Sequence, residues 1–262
     1  MKKKYLFFDI DGTLVAGGYS ASYVPESTRL ALDKLKQAGH FLALATGRSQ
    51  AMAYDFMEKL DIDNMVSDGG YGLTLNGKLI RILPLDKVKA CELIDECQKK
   101  GFPWGITVAN EKCRYTNDER FMKHTDDTYI STIVKENLDP RSFEKIYKVC
   151  IACLPGEEKQ LEKLKKLPWC RFHHEYIFVE PADKAGGIKM VMDHLGAPYE
   201  DVIVFGDNNN DLSMFTDDWF KVAMGNATDD LKAKADYITG DVDKDGIYEA
   251  CEYLHLFDKV SE

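Results

Sequence analysis

The stretch Tyr5-Leu6-Phe7-Phe8-Asp9-Ile10-Asp11-Gly12-Thr13 decides the fold. Its apolar half reads as a strand buried on both faces, and the carboxylates and glycine that follow make the chain turn sharply where the strand ends. Outward from it, Glu26 to Ala38 carries helical spacing and is closed by Gly39, Phe41 to Ala45 is a second apolar strand, and Ser49 to Leu60 is a second helix. Strands alternating with helices predict an α/β fold, a doubly wound Rossmann-like parallel sheet with crossover helices. Asn76-Gly77, between Leu73-Thr74-Leu75 and Leu79-Ile80-Arg81, is a two-residue hairpin signal.

The pattern changes between Pro84 and Pro181. A helix over Asp86 to Lys100, β-rich pieces around Thr107 and from Tyr147 to Leu154, a lysine-rich helix over Glu157 to Leu167 and a strand at Tyr176 to Glu180 predict a separate α+β module. The first pattern then returns with a helix from Gly186 to Leu195 and strands at Val202 to Phe205 and Tyr237 to Ile238. The expected organisation is therefore a core of residues 1–82 and 182–262 with an inserted domain at 83–181, hinged near Leu83-Pro84 and Glu180-Pro181.

With 45% hydrophobic and 30% charged residues among 262, the composition is that of a globular protein. Its 34 basic and 44 acidic residues leave a formal charge of −10, which gives no electrostatic reason to bind nucleic acid or an anionic membrane. Seven cysteines, an odd count in a chain of this size, read as reduced thiols in the cytoplasm. Met1 to Phe8 starts basic and then apolar, as a secretory leader does, but Asp9 and Asp11 cut the apolar stretch short, and no run approaches the roughly 20 residues of a membrane helix.

In open α/β sheets the functional crevice lies at the carboxyl ends of the strands. Strand alternation would put Asp9 and Asp11 on one side. Ala45-Thr46-Gly47-Arg48 ends a second strand and Phe205-Gly206-Asp207-Asn208-Asn209-Asn210-Asp211 ends another, so acidic, hydroxyl and glycine residues converge. Asp9, Asp11, Asp207 and Asp211 crowded together repel by several kcal/mol at an intermediate effective dielectric and call for a cation. All are hard oxygen donors, which favours Mg²⁺ over zinc.

These motifs resemble the haloacid dehalogenase superfamily of aspartate-nucleophile phosphohydrolases, in its Cof-type branch with a large (type IIB) cap. Asp9-Ile10-Asp11-Gly12-Thr13, Thr46 with Gly47-Arg48, Lys184, and Gly206-Asp207 with Asn210-Asp211 match four motifs in order around the insertion, over nearly the whole chain. Ala223-Met224-Gly225-Asn226-Ala227 and Asp245-Gly246-Ile247 also look like this branch. The resemblance implies that Asp9 is the nucleophile and Asp11 the general acid and base. It implies Mg²⁺ on the carboxylates of Asp9 and Asp207 and the backbone carbonyl of Asp11, with Asp211 in support. It further implies that Thr46, Gly47, Lys184 and Asn210 hold the phosphoryl oxygens, with Arg48 supporting them or bracing the loop. The substrate it implies is a small phosphate monoester such as a sugar phosphate or a cofactor or nucleotide monophosphate, handled by a monomer or weak homodimer, with the cap setting discrimination. Trp104, Arg114, Tyr115, His173 and His174 are cap candidates, each equally readable as cap surface or cap core. Two positions depart from the pattern: Ala185 stands where glycine is usual, and Asp68-Gly69 where Asn-Gly is usual.

A phosphomutase of the same fold is the near alternative. A receiver-like switch, phosphorylated on aspartate without turnover, is the distant one, and the insertion and Asp11 both weigh against it. Cys150-Ile151-Ala152-Cys153 with Cys170 and His173 has zinc-like spacing, but strand alternation sends positions three apart to opposite faces. Asp241-Val242-Asp243-Lys244-Asp245-Gly246 with Glu252 formally matches a calcium loop, but a strand rather than a helix leads into it.

Overall fold

In the computed structural model, which describes residues 1–18, 21–171 and 173–260, β1 (Tyr5–Phe8) lies in the middle of an eight-stranded sheet. Around it run α1 (Glu26–Ala38), β2 (Phe41–Ala45), α2 (Gln50–Leu60), β3 (Met65–Ser67), β4 (Gly72–Leu75) and β5 (Lys78–Ile82). The chain then forms α3 (Lys87–Lys100), β6 (Trp104–Thr107), β7 (Cys113–Thr116), α4 (Arg120–Thr125), β8 (Ser131–Val134), β9 (Lys148–Ala152), β10 (Trp169–Cys170) and β11 (Tyr176–Val179). It returns through α5 (Lys184–Leu195), β12 (Val202–Gly206), β13 (Phe220–Ala223), α6 (Asp229–Lys232), β14 (Tyr237–Ile238) and α7 (Gly246–Tyr253). Two compact units result, one of Met1–Arg48, Ala53–Arg81 and Asp183–Glu262, the other of Ser49–Met52 and Ile82–Ala182.

The first unit holds the sheet β14-β13-β12-β1-β2-β3-β4-β5. β1 pairs in parallel with both β12 (Phe8 opposite Phe205) and β2 (Phe8 opposite Leu44), so it is flanked on both sides. Its alternation assigns the faces. Leu6 and Phe8 pack in a cluster with Ala31, Leu32 and Leu35 of α1 and Ile247 and Ala250 of α7, while Phe7 packs with Ile188, Val191 and Met192 of α5. Helices cover both faces, as a buried parallel sheet requires. The sheet is not parallel throughout: β3 and β4 are antiparallel, and β4 turns into β5 through Asn76 and Gly77, both at positive φ (49° and 72°) as a type I′ turn demands.

The second unit is built on the sheet β10-β11-β9-β6-β7-β8, in which, among the described residues, β7 and β8 pair in parallel and the other neighbours pair antiparallel. α3 supplies Ala90, Leu93, Ile94 and Cys97 to its core with Trp104, Ile106, Val149 and Ile177. Trp104 is therefore core, and Arg114 is buried in an ion pair with Asp127 at 2.7 Å. The lysine-rich segment forms two 3₁₀ turns, Glu157–Gln160 and Glu162–Lys166, in place of the expected α-helix. Its buried residues Leu161, Leu164 and Leu167 recur every three positions, the period of a 3₁₀ turn, and Leu161 breaks the run with ψ at 93°. Cys150 and Cys153 fall in different clusters, and Cys150, its thiol raised to about 12 by burial, is a packed core residue. Among the described residues, no helix is long and apolar enough to cross a membrane.

Candidate active site

β1 ends at Phe8, and the Asp9 amide donates to the carbonyl of Phe205 at 3.0 Å, so the first carboxylate leaves the sheet still bonded to β12. From there the chain coils: the amides of Leu14 and Val15 return to the carbonyl of Ile10. Strand alternation therefore does not extend to Asp11, and the two carboxylates have different surroundings. Asp9 is buried, whereas the Asp11 side chain is 53% exposed and gripped by Arg48, whose Nε and Nη2 each donate to one carboxylate oxygen at 2.7 Å. Arg48 also lies over the Phe56 ring, 4.7 Å from its centroid.

Lys184 opens α5, where the Asp183 side chain accepts from the Gly186 amide and fixes the helix start two residues earlier than expected. The Lys184 side chain is buried, and its ammonium donates to Asp9 Oδ1 at 2.7 Å and to Asp211 Oδ1 at 2.6 Å. The other oxygen of Asp211 accepts the amides of Asp207 and Asn208 at 2.9 and 3.1 Å. Asp211 thus orients the loop that carries Asp207. Thr13 donates its hydroxyl to Asp207 Oδ1 at 3.2 Å, and Gly12 (φ 83°) leaves the room Asp207 needs, since a Cβ there would stand 2.1 Å from Oδ2.

Asp9, Asp207 and Asp211 each present an oxygen within 4.8 Å of the others. Three carboxylates against one ammonium leave two negative charges unbalanced in a pocket of oxygen donors, a set that suits a hard divalent cation such as Mg²⁺. The same crowding shifts the protons. Burial first, then the Asp211 carboxylate, raise the Asp9 carboxyl well above the usual range against the pull of Lys184. Asp207 is raised to about 7, by burial and by Asp211, against the Thr13 hydrogen bond. Burial opposes the charge of Lys184, but Asp211 and Asp9 outweigh it and hold the ammonium above the ordinary lysine range.

Thr46 is buried at the end of β2, and its hydroxyl accepts the Arg48 amide at 3.1 Å across Gly47. Asn210 sits in the 3₁₀ turn Asn209–Met214 between Asp207 and Asp211, and is partly exposed. Three contributors lie beyond the residues given a site role from sequence, and of these Ser213 carried no signal there at all. Ser213 accepts the Lys184 amide at 3.3 Å and donates to the Asn210 carbonyl at 3.2 Å, joining the two segments. The Asp68–Gly70 turn donates the Asp68 amide to the Arg48 carbonyl at 2.8 Å and accepts the Asp183 amide on Gly69 at 2.7 Å, so it spaces the Thr46 loop from α5. Asn226 donates to the Gly12 carbonyl at 2.9 Å. Its run was visible in the sequence, but nothing there said what its side chain would reach.

Known proteins resemble this chain along nearly its whole length. The family model for haloacid dehalogenase-like hydrolases matches residues 6–251. The Bacillus subtilis protein YkrA, provisionally named a phosphatase, is 31% identical over 260 residues, covering 98% of this chain and 99% of its own. Two solved structures are similar along their whole length. A hypothetical protein from Geobacillus kaustophilus HTA426 is 32% identical with a TM-score of 0.83, covering 97% of this chain and 99% of that one. The HAD subclass IIB sugar phosphatase BT4131 is 26% identical with a TM-score of 0.79, covering 97% and 100%.

Proposed function

Because the chain belongs to the haloacid dehalogenase-like hydrolase family, and is an enzyme of that family, we propose that it is a Mg²⁺-dependent phosphatase of small phosphate monoesters. The reaction passes through an aspartyl phosphate on Asp9, with Asp11 as general acid and base. The observation that carries this reading is the buried Asp9 carboxylate, held by Lys184 beside Asp207 and Asp211.

An anionic ester approaches an anionic nucleophile only where positive charge and hydrogen-bond donors receive it. Lys184, the Thr46 hydroxyl, the Gly47 amide and the Asn210 amide group are the donors assigned to the phosphoryl oxygens. Mg²⁺ held by the carboxylates of Asp9 and Asp207 and the carbonyl of Asp11 would neutralise charge on the phosphoryl group. An Asp9 oxygen bonds to phosphorus as the ester oxygen leaves with its electron pair and takes a proton from the Asp11 carboxyl. Water then attacks phosphorus, gives its proton to Asp11 and frees inorganic phosphate, restoring Asp9. Arg48 keeps Asp11 at the mouth of the site, half exposed, where a leaving group or water reaches it.

The substrate class proposed is a sugar phosphate or a cofactor or nucleotide monophosphate, and the named sugar phosphatase among the similar structures supports the first. Phosphate release over a panel of monoesters, with Mg²⁺ and with chelator, tests the reading. Hydrolysis only with the cation is expected; unchanged release in excess chelator would refute the metal assignment. Recovery of an isomeric phosphate ester in place of free phosphate would identify a mutase.

A further inference from the structure

We propose that Asn226 is a positioning residue for the cation site, an inference that rests on the phosphatase reading above. Asn226 lies in the turn that follows β13, and its side chain works in both directions. Nδ2 donates to the Gly12 carbonyl at 2.9 Å, and Oδ1 accepts the Val242 amide at 2.8 Å. One end thus holds the Asp9–Thr13 loop and the other is anchored on the segment before α7.

The rest of the turn grips the second acidic loop. The Thr228 amide donates to the Asp207 carbonyl at 2.9 Å, and the Thr228 hydroxyl donates to Asn209 Oδ1 at 2.8 Å. The Ala227 amide closes the turn on Met224, and the Gly225 amide ties it to the Gly240 carbonyl, both at 2.9 Å. Residues 225–228 therefore bond to both loops whose carboxylates are to share a cation, and they fix the distance between them.

Asn226 makes the contact to the first of these loops. Its bond to the Gly12 carbonyl sets the plane of the Gly12-Thr13 peptide. That peptide carries the Thr13 hydroxyl onto Asp207 Oδ1, and Gly12 is pressed against Oδ2 of the same carboxylate. The preceding peptide bears the Asp11 carbonyl assigned to Mg²⁺. A rotated Gly12 would move the carbonyl and release the Asp207 carboxylate together. Asn226 is itself exposed and fills no core, so its removal should affect alignment far more than folding.

Calorimetric titration of the full chain with Mg²⁺, beside Mg²⁺-dependent phosphate release from an aryl phosphate and thermal unfolding in chelator, tests this. Asn226→Ala should bind Mg²⁺ about tenfold to a hundredfold more weakly, the usual cost of losing a partner that orients ligands. Its unfolding midpoint in chelator should stay near that of the unaltered protein, and so should the KM at saturating Mg²⁺. Asn226→Asp keeps an acceptor for Val242, loses the donor to Gly12 and adds a charge that attracts cations. Weaker binding in that variant therefore reports lost alignment, and it decides the matter should Asn226→Ala fail to fold. Unchanged or tighter Mg²⁺ binding in the folded variants, with the unaltered protein Mg²⁺-dependent, overturns this inference alone. An unaltered protein that hydrolyses esters without binding Mg²⁺ overturns the metal reading and this inference with it.

Discussion

Asp9 and Asp11 stand two residues apart on one loop, yet one is buried against Lys184 and the other half exposed against Arg48. Different surroundings imply failure at different steps. Asp9→Asn should form no phosphoenzyme with an aryl phosphate, whereas Asp11→Asn should slow phosphate release by about 10²–10⁴-fold and accumulate phosphoenzyme when the leaving group is good. Acid-quench trapping of labelled substrate separates the two, and equal trapping in both variants would contradict these roles. Lys184→Met tests the buried charges. It strands Asp9 and Asp211, so the chelated protein should lose about 3–5 kcal/mol in denaturant unfolding, the cost of breaking a buried pair from one side. At this scale the sequence showed which residues end strands. It did not show that Arg48 meets Asp11 or that Ser213 reaches Lys184, because those pairs are distant in sequence and meet only through the fold.

α5 owes its position to glycines, and the Asp68–Gly70 turn is where the chain leaves no space. Gly70 has φ at 112°, and a Cβ there would stand 1.9 Å from the Asp183 carbonyl; a Cβ on Gly187 would stand 2.4 Å from Val66. Gly77 also has positive φ, but nothing lies within 4 Å of its added Cβ. Gly77→Ala should therefore cost only the left-handed penalty of about 1–2 kcal/mol, whereas Gly70→Ala adds a backbone collision and should cost more and lower activity by displacing Lys184. Denaturant midpoints and turnover of the two variants, measured side by side, check the contrast; equal losses would mean that the turn does not space α5. The departures from the usual pattern fall here. Ala185 packs in the core beside Ile188 without loosening the contacts of Lys184, and Asp68 accepts from the Ser67 hydroxyl at 2.9 Å. Elements with a clear apolar period, such as α1, were legible in sequence. The 157–167 segment was not, because its lysines suggested an α-helix while its three leucines kept the tighter spacing.

Across the whole molecule, the order of strands and helices followed from hydrophobic periodicity. Short pieces such as β7, β8 and β13 carried too little pattern to be seen, and they form through pairing with neighbours. The acidic site gives the molecule a characteristic dependence on pH. For most paired carboxylates here, such as Asp201 beside Lys2 and Lys4, the native pKa is depressed despite burial, so their stabilisation is lost as pH falls. Asp9 and Asp207 behave in the opposite sense. Their native pKa values are raised, Asp207 to about 7, so between the unfolded value near 4 and about 7 the folded chain binds more protons than the unfolded one. Stability of the chelated protein therefore falls as pH rises through that window. A single carboxyl shifted this far contributes on the order of 2–4 kcal/mol to the loss. A divalent cation reverses the preference, since it binds the ionised carboxylates and stabilises the folded state by mass action. Thermal unfolding at pH 5.5 and pH 8, each with chelator and with millimolar Mg²⁺, should show a midpoint that drops by several degrees between the two pH values in chelator and recovers with Mg²⁺ chiefly at pH 8. A Mg²⁺ effect of equal size at both pH values would place the cation away from Asp9 and Asp207, because a site made of protonatable ligands must bind more weakly where protons compete for it.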